Sequence, residues 1–475
     1  MTGDRAESIR LDPGRSHRPV PGPVPALRLP ELERFRLGTG LRVWVGEAHA
    51  VPEVSIRLLV EAGASAEAPV SAEAGGERDG SSGPAPPGVA DLVGRLLTEG
   101  AGERDATRMA EWLDRLGASF GASVRYEGAV LSMDLLSEVL PEALDFLAVA
   151  VRAPRFEPQE VERVRSERLD ALRRQLDEPA IVADHALIEA IYGSHLYGRP
   201  AGGTPETVRA VDRDAVQGFH ARRFGARDGA LVVFGDVRPA ELCAALEARF
   251  GDWVEGPGRP DMPAPPSRAV AGGRVVLVDR PGSAQAEVRV GAVGLAYGAA
   301  DLYAAQVANA VLGGLFNSRL NLNLREDKGW TYGARTGFRF RRERGPFSAR
   351  TAVETRVTAP AIREILAELE GLVQRPPTHE EIRLAKNAMT LSLPLHFQTP
   401  GQVSRKVVQQ IAYDLPADYW SRYRERVEVV TREEVVEVAG RLLRREDLAL
   451  VVVTDAEAVR AELEAFGPVE VRPAP

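Results

Sequence analysis

Two stretches of this chain are copies of each other, and that constrains the fold more than any other feature. VDRDAVQGFHARRFGARDGALVVFGD (211–236) aligns without gaps on VTREEVVEVAGRLLRREDLALVVVTD (430–455). Ten of the 26 positions are identical, Asp228 and Asp447 among them, as is the Leu-Val-Val triplet inside each apolar run. FEPQEVERVR and PTHEEIRLAK correspond in the same way, one helix start against another. One unit used twice predicts two homologous halves, 29–255 and 274–475, joined by the Pro/Gly segment 256–273. A cleft between such halves is a natural place for a site. The alternative is a duplication that only stabilises the fold.

The local patterns describe each half as α+β. LRVWVGE and VSIRLLVEAGA carry the β-branched alternation of paired strands, and ASFGASVRYEGAVLSMDLL reads as two more. ATRMAEWLDRLG, PEALDFLAVAV and AIVADHALIEAIYG are apolar at helical spacing. PQEVERVRSERLDALRRQL is a long charged helix that stops at Asp177-Glu178-Pro179, because the residue before a proline disfavours helical backbone. GALVVFGDV is a buried strand. The expected architecture is an antiparallel sheet in each half with helices on one face. Residues 1–28 are polar and Pro-rich and read as a flexible arm. A Gly/Ser/Pro/Ala insert at about 66–87 buries too little to order itself.

Composition narrows the function classes. A formal charge of −8 argues against nucleic-acid binding, which needs a basic face. The single cysteine, Cys243, permits neither an internal disulfide nor a cysteine zinc site. No apolar run spans a bilayer, and the N-terminus has no signal-peptide core, so the default expectation is cytoplasmic. With a true start further upstream, the periplasm is the alternative expectation. VLGGLF lacks the Lys-Ser/Thr of a phosphate loop. FRFRRERG (338–345) is basic and reads as a solvated hairpin tip rather than a patch for an anionic partner.

GVADLVGRLLTEG (88–100) opens an amphipathic helix, an element on which a hydrolytic zinc site can be built. Such a site needs two imidazoles one turn apart, a third ligand and a carboxylate base. The seven histidines are His17, His49, His185, His195, His220, His379 and His396. No two stand at i, i+3 or i, i+4, and neither H-E-x-x-H nor H-x-x-E-H occurs.

The order and spacing of RLGTGLRVWV, VSIRLLVEAGA, GVADLVGRLLTEGAGERDA, LDEPAIVADHALIEAIYGSHLYGRPAGGTPETV and FNSRLNLNLREDKGWTYGA carry a resemblance. From about residue 30 to 470 the chain resembles the pitrilysin/insulinase-type zinc metallopeptidases, which include the mitochondrial processing peptidases. The resemblance implies a clamshell with an internal chamber. Catalytic members carry H-x-x-E-H on the helix after G-x-A; here those places hold Asp91, Gly94 and Arg95. The family's third ligand, a glutamate, falls at or beside Ala171, with Asp170 its neighbour. A guanidinium repels a divalent ion, and Asp91 and Arg95 at i, i+4 are expected to form an ion pair in the space of the lost metal.

The resemblance also implies that Arg325 and Tyr332 form the family's R…Y pair, which grips peptide carbonyls and steadies the oxyanion at a zinc-bearing domain. LREDKG reads as a helix end stopped by Gly329 and WTYGA as the following strand, so both side chains could face one cavity. The expected role is a non-catalytic subunit of a two-chain zinc metallopeptidase. This chain would bring no cofactor; a zinc-bearing homologous subunit would supply the metal, and the substrates would be extended peptides. A structural or assembly protein without peptide chemistry is the alternative. A self-sufficient peptidase with a rebuilt site is a third.

Overall fold

The structure, a computed structural model, describes residues 29–67 and 85–475. The arm and most of the insert fall outside the described residues. The first sheet is built from β1 (Glu33–Arg36), β2 (Arg42–Glu47), β3 (Glu53–Val60), β4 (Ser119–Val124), β5 (Ala129–Leu136) and β6 (Ala230–Gly235). The second uses β7 (Val275–Asp279), β8 (Gln285–Val293), β9 (Ala334–Phe338), β10 (Pro346–Glu354), β11 (Ala449–Thr454) and β12 (Val469–Pro473). The orders are β1-β2-β6-β3-β5-β4 and β12-β7-β11-β8-β10-β9. Past the first strand of each order, the remaining five match one for one.

The aligned copies correspond element for element. Helix Arg213–Arg223 answers helix Arg432–Leu442, and β6 answers β11, both at the sequence offset. Asp212 caps the first helix by accepting from the Ala215 amide, and Thr431 caps the second through a capping box with Glu434. The outermost strands break the symmetry. β1 comes from the N-terminal side and runs antiparallel to β2, whereas β12 comes from the C-terminus and runs parallel to β7.

Two expectations need correction. The sheets are mixed, not wholly antiparallel, since β2–β6 and β7–β11 are parallel pairs. A long segment containing three strands and several helices separates the partners in each pair, since parallel strands cannot be joined by a tight turn. Nor are helices confined to one face. Every residue of β6 and of β11 is buried, because each sheet has helices on both sides. Leu231 and Val233 face the first half's own helices, while Ala230, Val232 and Phe234 pack on Val403, Val407, Val408 and Ile411 of the helix Pro400–Ala412.

The exchange is reciprocal. The first half's own helices include α1 (Val89–Leu96), α2 (Ala106–Leu116), α3 (Leu140–Arg152) and α4 (Pro158–Asp177). The next, α5 (Pro179–Tyr192), packs Val182, Leu187 and Ile191 on Val276, Val278, Val451 and Val453 of the second sheet. Each half thus lends one helix to the other. Segment 256–273 is fastened between them: Arg259 pairs with Glu61 and Asp414, and the Val270 and Ala271 amides donate to Ile191 and Ala190 carbonyls.

Buried arginines mark the same exchange. Arg57 lies opposite Val232 and Arg289 opposite Val451, equivalent places in the two sheets. Arg57 donates to both carboxylate oxygens of Asp134, at 2.9 and 3.0 Å. Arg289 reaches Asp184 and Glu287, at 2.7 Å each, and the Ala180 carbonyl. A buried charge is costly unless it is paired and hydrogen-bonded. For Arg289, the lent helix α5 supplies Asp184 and Ala180.

Candidate functional site

Helix α1 starts at Gly88, whose φ of +98° suits glycine and whose missing side chain leaves room for Val208 and the Gly202 carbonyl. Glu67 closes the helix start, accepting from the Gly88 and Ala90 amides at 2.9 and 3.1 Å. A carboxylate there meets free N–H groups and the positive end of the helix dipole. Burial drives the Glu67 carboxyl up to about 7, while Arg199, 3.0 Å away, and the two amides pull it down.

Asp91 and Arg95 follow one turn apart and form the expected ion pair, Nε to Oδ2 at 2.8 Å. A second guanidinium joins them from α4: Arg168 Nε stands 3.1 Å from the same oxygen. Its angle forms no hydrogen bond, so this contact is ionic. Arg168 also donates to the Gly202 carbonyl at 3.2 Å. Burial lowers its pKa, an effect that Asp91 opposes and Arg95 reinforces.

Ala171 lies on α4, as expected, but carries no group that could bind. Its neighbour Asp170 turns to the surface and pairs with Arg173 at 2.9 Å. What reaches α1 is Arg168, three residues earlier on the same helix. Sequence reasoning missed it, though the i−3 spacing from Ala171 puts it on nearly the same face. Gly94 is pressed against β4. A Cβ there would sit 2.9 Å from Val124 Cγ2 and 3.4 Å from the Ala122 Cβ. Position 94 is therefore closed by strand side chains.

A zinc ion needs three or four neutral-imidazole, thiolate or carboxylate donors. This pocket offers one carboxylate, already engaged by two cations. The residues do not fit the ion. Among the described residues, no group of three or more His, Cys, Asp or Glu is placed to hold a metal. His49 and Ser137 both hydrogen-bond Asp236, at 2.7 Å each. With serine and imidazole on the same carboxylate, the serine has no base, so the trio is not a nucleophilic triad.

In the second half, Arg325 lies in the helical turn Leu322–Asp327, which ends at Gly329 (φ +64°) with its amide on the Arg325 carbonyl. The strand begins only at Ala334, so Trp330–Gly333 form a turn rather than the strand the sequence suggested. Arg325 stacks on exposed Phe316, 4.5 Å from the ring centroid, and Tyr332 is 96% exposed. Phe316, Leu322 and Tyr332 are all exposed to solvent.

The sequence at 338–345 differs most from expectation. It is no solvated tip: Arg341 is 7% exposed, Arg342 pairs with buried Glu61 at 3.2 Å, and the segment closes on the first half. It borders a cleft of about 670 Å³ between the halves.

Two family models match the chain: "Insulinase (Peptidase family M16)" over 80–204 and "Peptidase M16 inactive domain" over 210–389. An uncharacterized zinc protease of Mycobacterium tuberculosis is 27% identical over 360 residues, covering 75% of this chain and 82% of that protein. A non-peptidase homolog of Helicobacter pylori is 21% identical over 373 residues, 78% of this chain and 84% of its own. The crystal structure of a peptidase M16 inactive domain from Pseudomonas fluorescens superposes with a TM-score of 0.80 at 23% identity, over 90% of this chain and 98% of that one. At that identity the structural match speaks for the fold alone.

Proposed function

Because the chain belongs to the insulinase family of peptidases, we propose that it is a non-catalytic member that works as one subunit of a two-chain zinc metallopeptidase. A zinc-bearing homologue supplies metal, water and base. This chain contributes peptide grip. The observation that carries the reading is the Asp91 carboxylate held by Arg95 and Arg168, from the two helices on which a catalytic member carries its ligands. That cluster has one negative and two positive charges, which repels a divalent cation.

What supports the peptide-binding part is the edge of the first sheet. β4 ends the strand order, and Ser119, Gly121, Ala122 and Ser123 along it are exposed. An extended peptide adds to such an edge through main-chain hydrogen bonds. In this reading Arg325 and Tyr332 reach the partner's site. A permanently charged fork and a directed O–H suit peptide carbonyls and a developing oxyanion. Among the described residues, no helix is long and apolar enough to cross a membrane.

The test is reconstitution. This chain is co-expressed with a homologue carrying an intact H-x-x-E-H motif, and peptide cleavage is measured for each alone and both together. The expected result is little turnover from either alone and chelator-sensitive turnover from the pair. In that pair, Arg325→Ala with Tyr332→Phe slows turnover more than it weakens assembly. A pair that assembles without cleaving anything favours the structural or assembly role.

A further inference from the structure

The cleft between the halves is lined by the end of β4 (Ser123, Val124), the turn after it, the β9–β10 connection and the helix Pro400–Ala412. Five arginines border it: Arg57, Arg125, Arg339, Arg341 and Arg405. In a chain of net charge −8, such a concentration does not follow from overall composition. Arg57 is neutralised by Asp134, and Arg339 lies 4.0 Å from Asp184. Arg125, Arg341 and Arg405 make no ion pair among the described residues. The cleft's own acid, Glu127, is occupied by the Tyr197 hydroxyl and the Arg342 amide.

Arg341 stands out chemically. Its guanidinium carbon lies 4.0 Å from the Tyr126 ring centroid and 4.2 Å from that of Tyr197, with Tyr192 at 5.9 Å. These π faces stabilise and orient the cation, but they accept no in-plane hydrogen bond. Its Nη1 is buried with no hydrogen-bond partner. An unmet donor on a buried charge is costly, and this guanidinium borders the cleft with no ion-pair partner among the described residues. A planar carboxylate is the complement that a guanidinium fork meets best.

We propose that this cleft is a binding site for acidic peptides, whose carboxylates are taken by Arg341, Arg125 and Arg405. Peptide is favoured over nucleotide or free phosphate by the rest of the lining. Tyr297, Phe338, Phe340 and Tyr413 give an aromatic wall for apolar side chains next to the charges. The cleft opens at the end of β4, and no helix N-terminus or glycine-rich phosphate loop is among its lining residues. All the groups belong to this chain, so the inference stands whether or not a catalytic partner exists.

The test uses the full chain alone and a fluorescein-labelled hexapeptide alternating Glu and Phe, read by fluorescence anisotropy. Its counterpart with Gln for every Glu is the neutral control, and inorganic pyrophosphate is the phosphate probe. The acidic peptide is expected to bind at least about tenfold more tightly than the neutral one, and to weaken as salt rises. Arg341→Met should lower its affinity by about tenfold or more. Since Arg341 also packs against tyrosines, the exposed pair Arg125→Gln and Arg405→Gln is tested separately. It should cost at least about threefold without altering the circular dichroism spectrum. Equal affinity for the Glu and Gln peptides would overturn the assignment. So would unchanged affinity in the Arg125/Arg405 variant, or saturable pyrophosphate binding with no peptide binding.

Discussion

At the scale of single residues, a charge cluster joins α1 to α4. Asp91 is the hub, with one carboxylate oxygen facing Arg95 and Arg168. Asp91→Asn removes the only negative charge and leaves two guanidiniums facing each other. It should destabilise the protein by about 2 kcal/mol, measured by denaturant unfolding, with Arg168→Met partly restoring stability in the double variant. Glu67 gives a pH signature. Its folded pKa of about 7 lies above the ordinary 4.5, so its contribution to stability is fully present below about 4.5 and is lost as pH rises through about 7. Glu67→Gln keeps an acceptor for the Gly88 and Ala90 amides but cannot ionise. A melting-temperature series over that window should be flatter for the variant than for the parent.

These residues were legible to different degrees. The Asp91–Arg95 pair could be read because i, i+4 spacing on one helix is local geometry. Arg168 could not be singled out, since many arginines on the same helix offer equal charge and only the packing of α4 on α1 selects one. Arg341 was misread for a related reason. A basic stretch between two strands looks solvated until the other half of the chain, with Tyr126 and Tyr197, closes over it.

At the scale of elements, the governing fact is that each sheet is covered on its second face by a helix from the other half. The continuous apolar runs ALVVFG and ALVVVT recorded that both faces are buried, but not what buries them. The offset that aligns the two copies also fixes their helices, caps and strands, and for that reason the repeat was the most readable part of the fold. The lent helices are not readable in the same way, because an amphipathic stripe does not name its partner. Ile411→Ala on the helix Pro400–Ala412 should cost about 2–4 kcal/mol as a buried large-to-small change. Amide hydrogen exchange should then rise in β6, which lies in the opposite half of the sequence.

At the scale of the whole molecule, the reciprocal exchange makes the halves interdependent. Residues 29–255 expressed alone would carry α5 without the second sheet and leave the Leu59–Phe234 face uncovered. Residues 274–475 alone would expose the mirror-image surface on Val276, Val278, Val451 and Val453. Neither half should show a cooperative unfolding transition alone, and co-expression should restore one. Two independent cooperative transitions would mean that the lent helices are dispensable.

The same interlocking holds α1 and α4 at the Asp91 cluster, and the central claim rests on what that cluster can bind. The direct measurement is the zinc content of the purified full chain after equilibration with zinc and dialysis. The expected value is far below one equivalent per chain, unchanged by Asp91→Asn. One tightly held equivalent, lost on that substitution, would contradict the account.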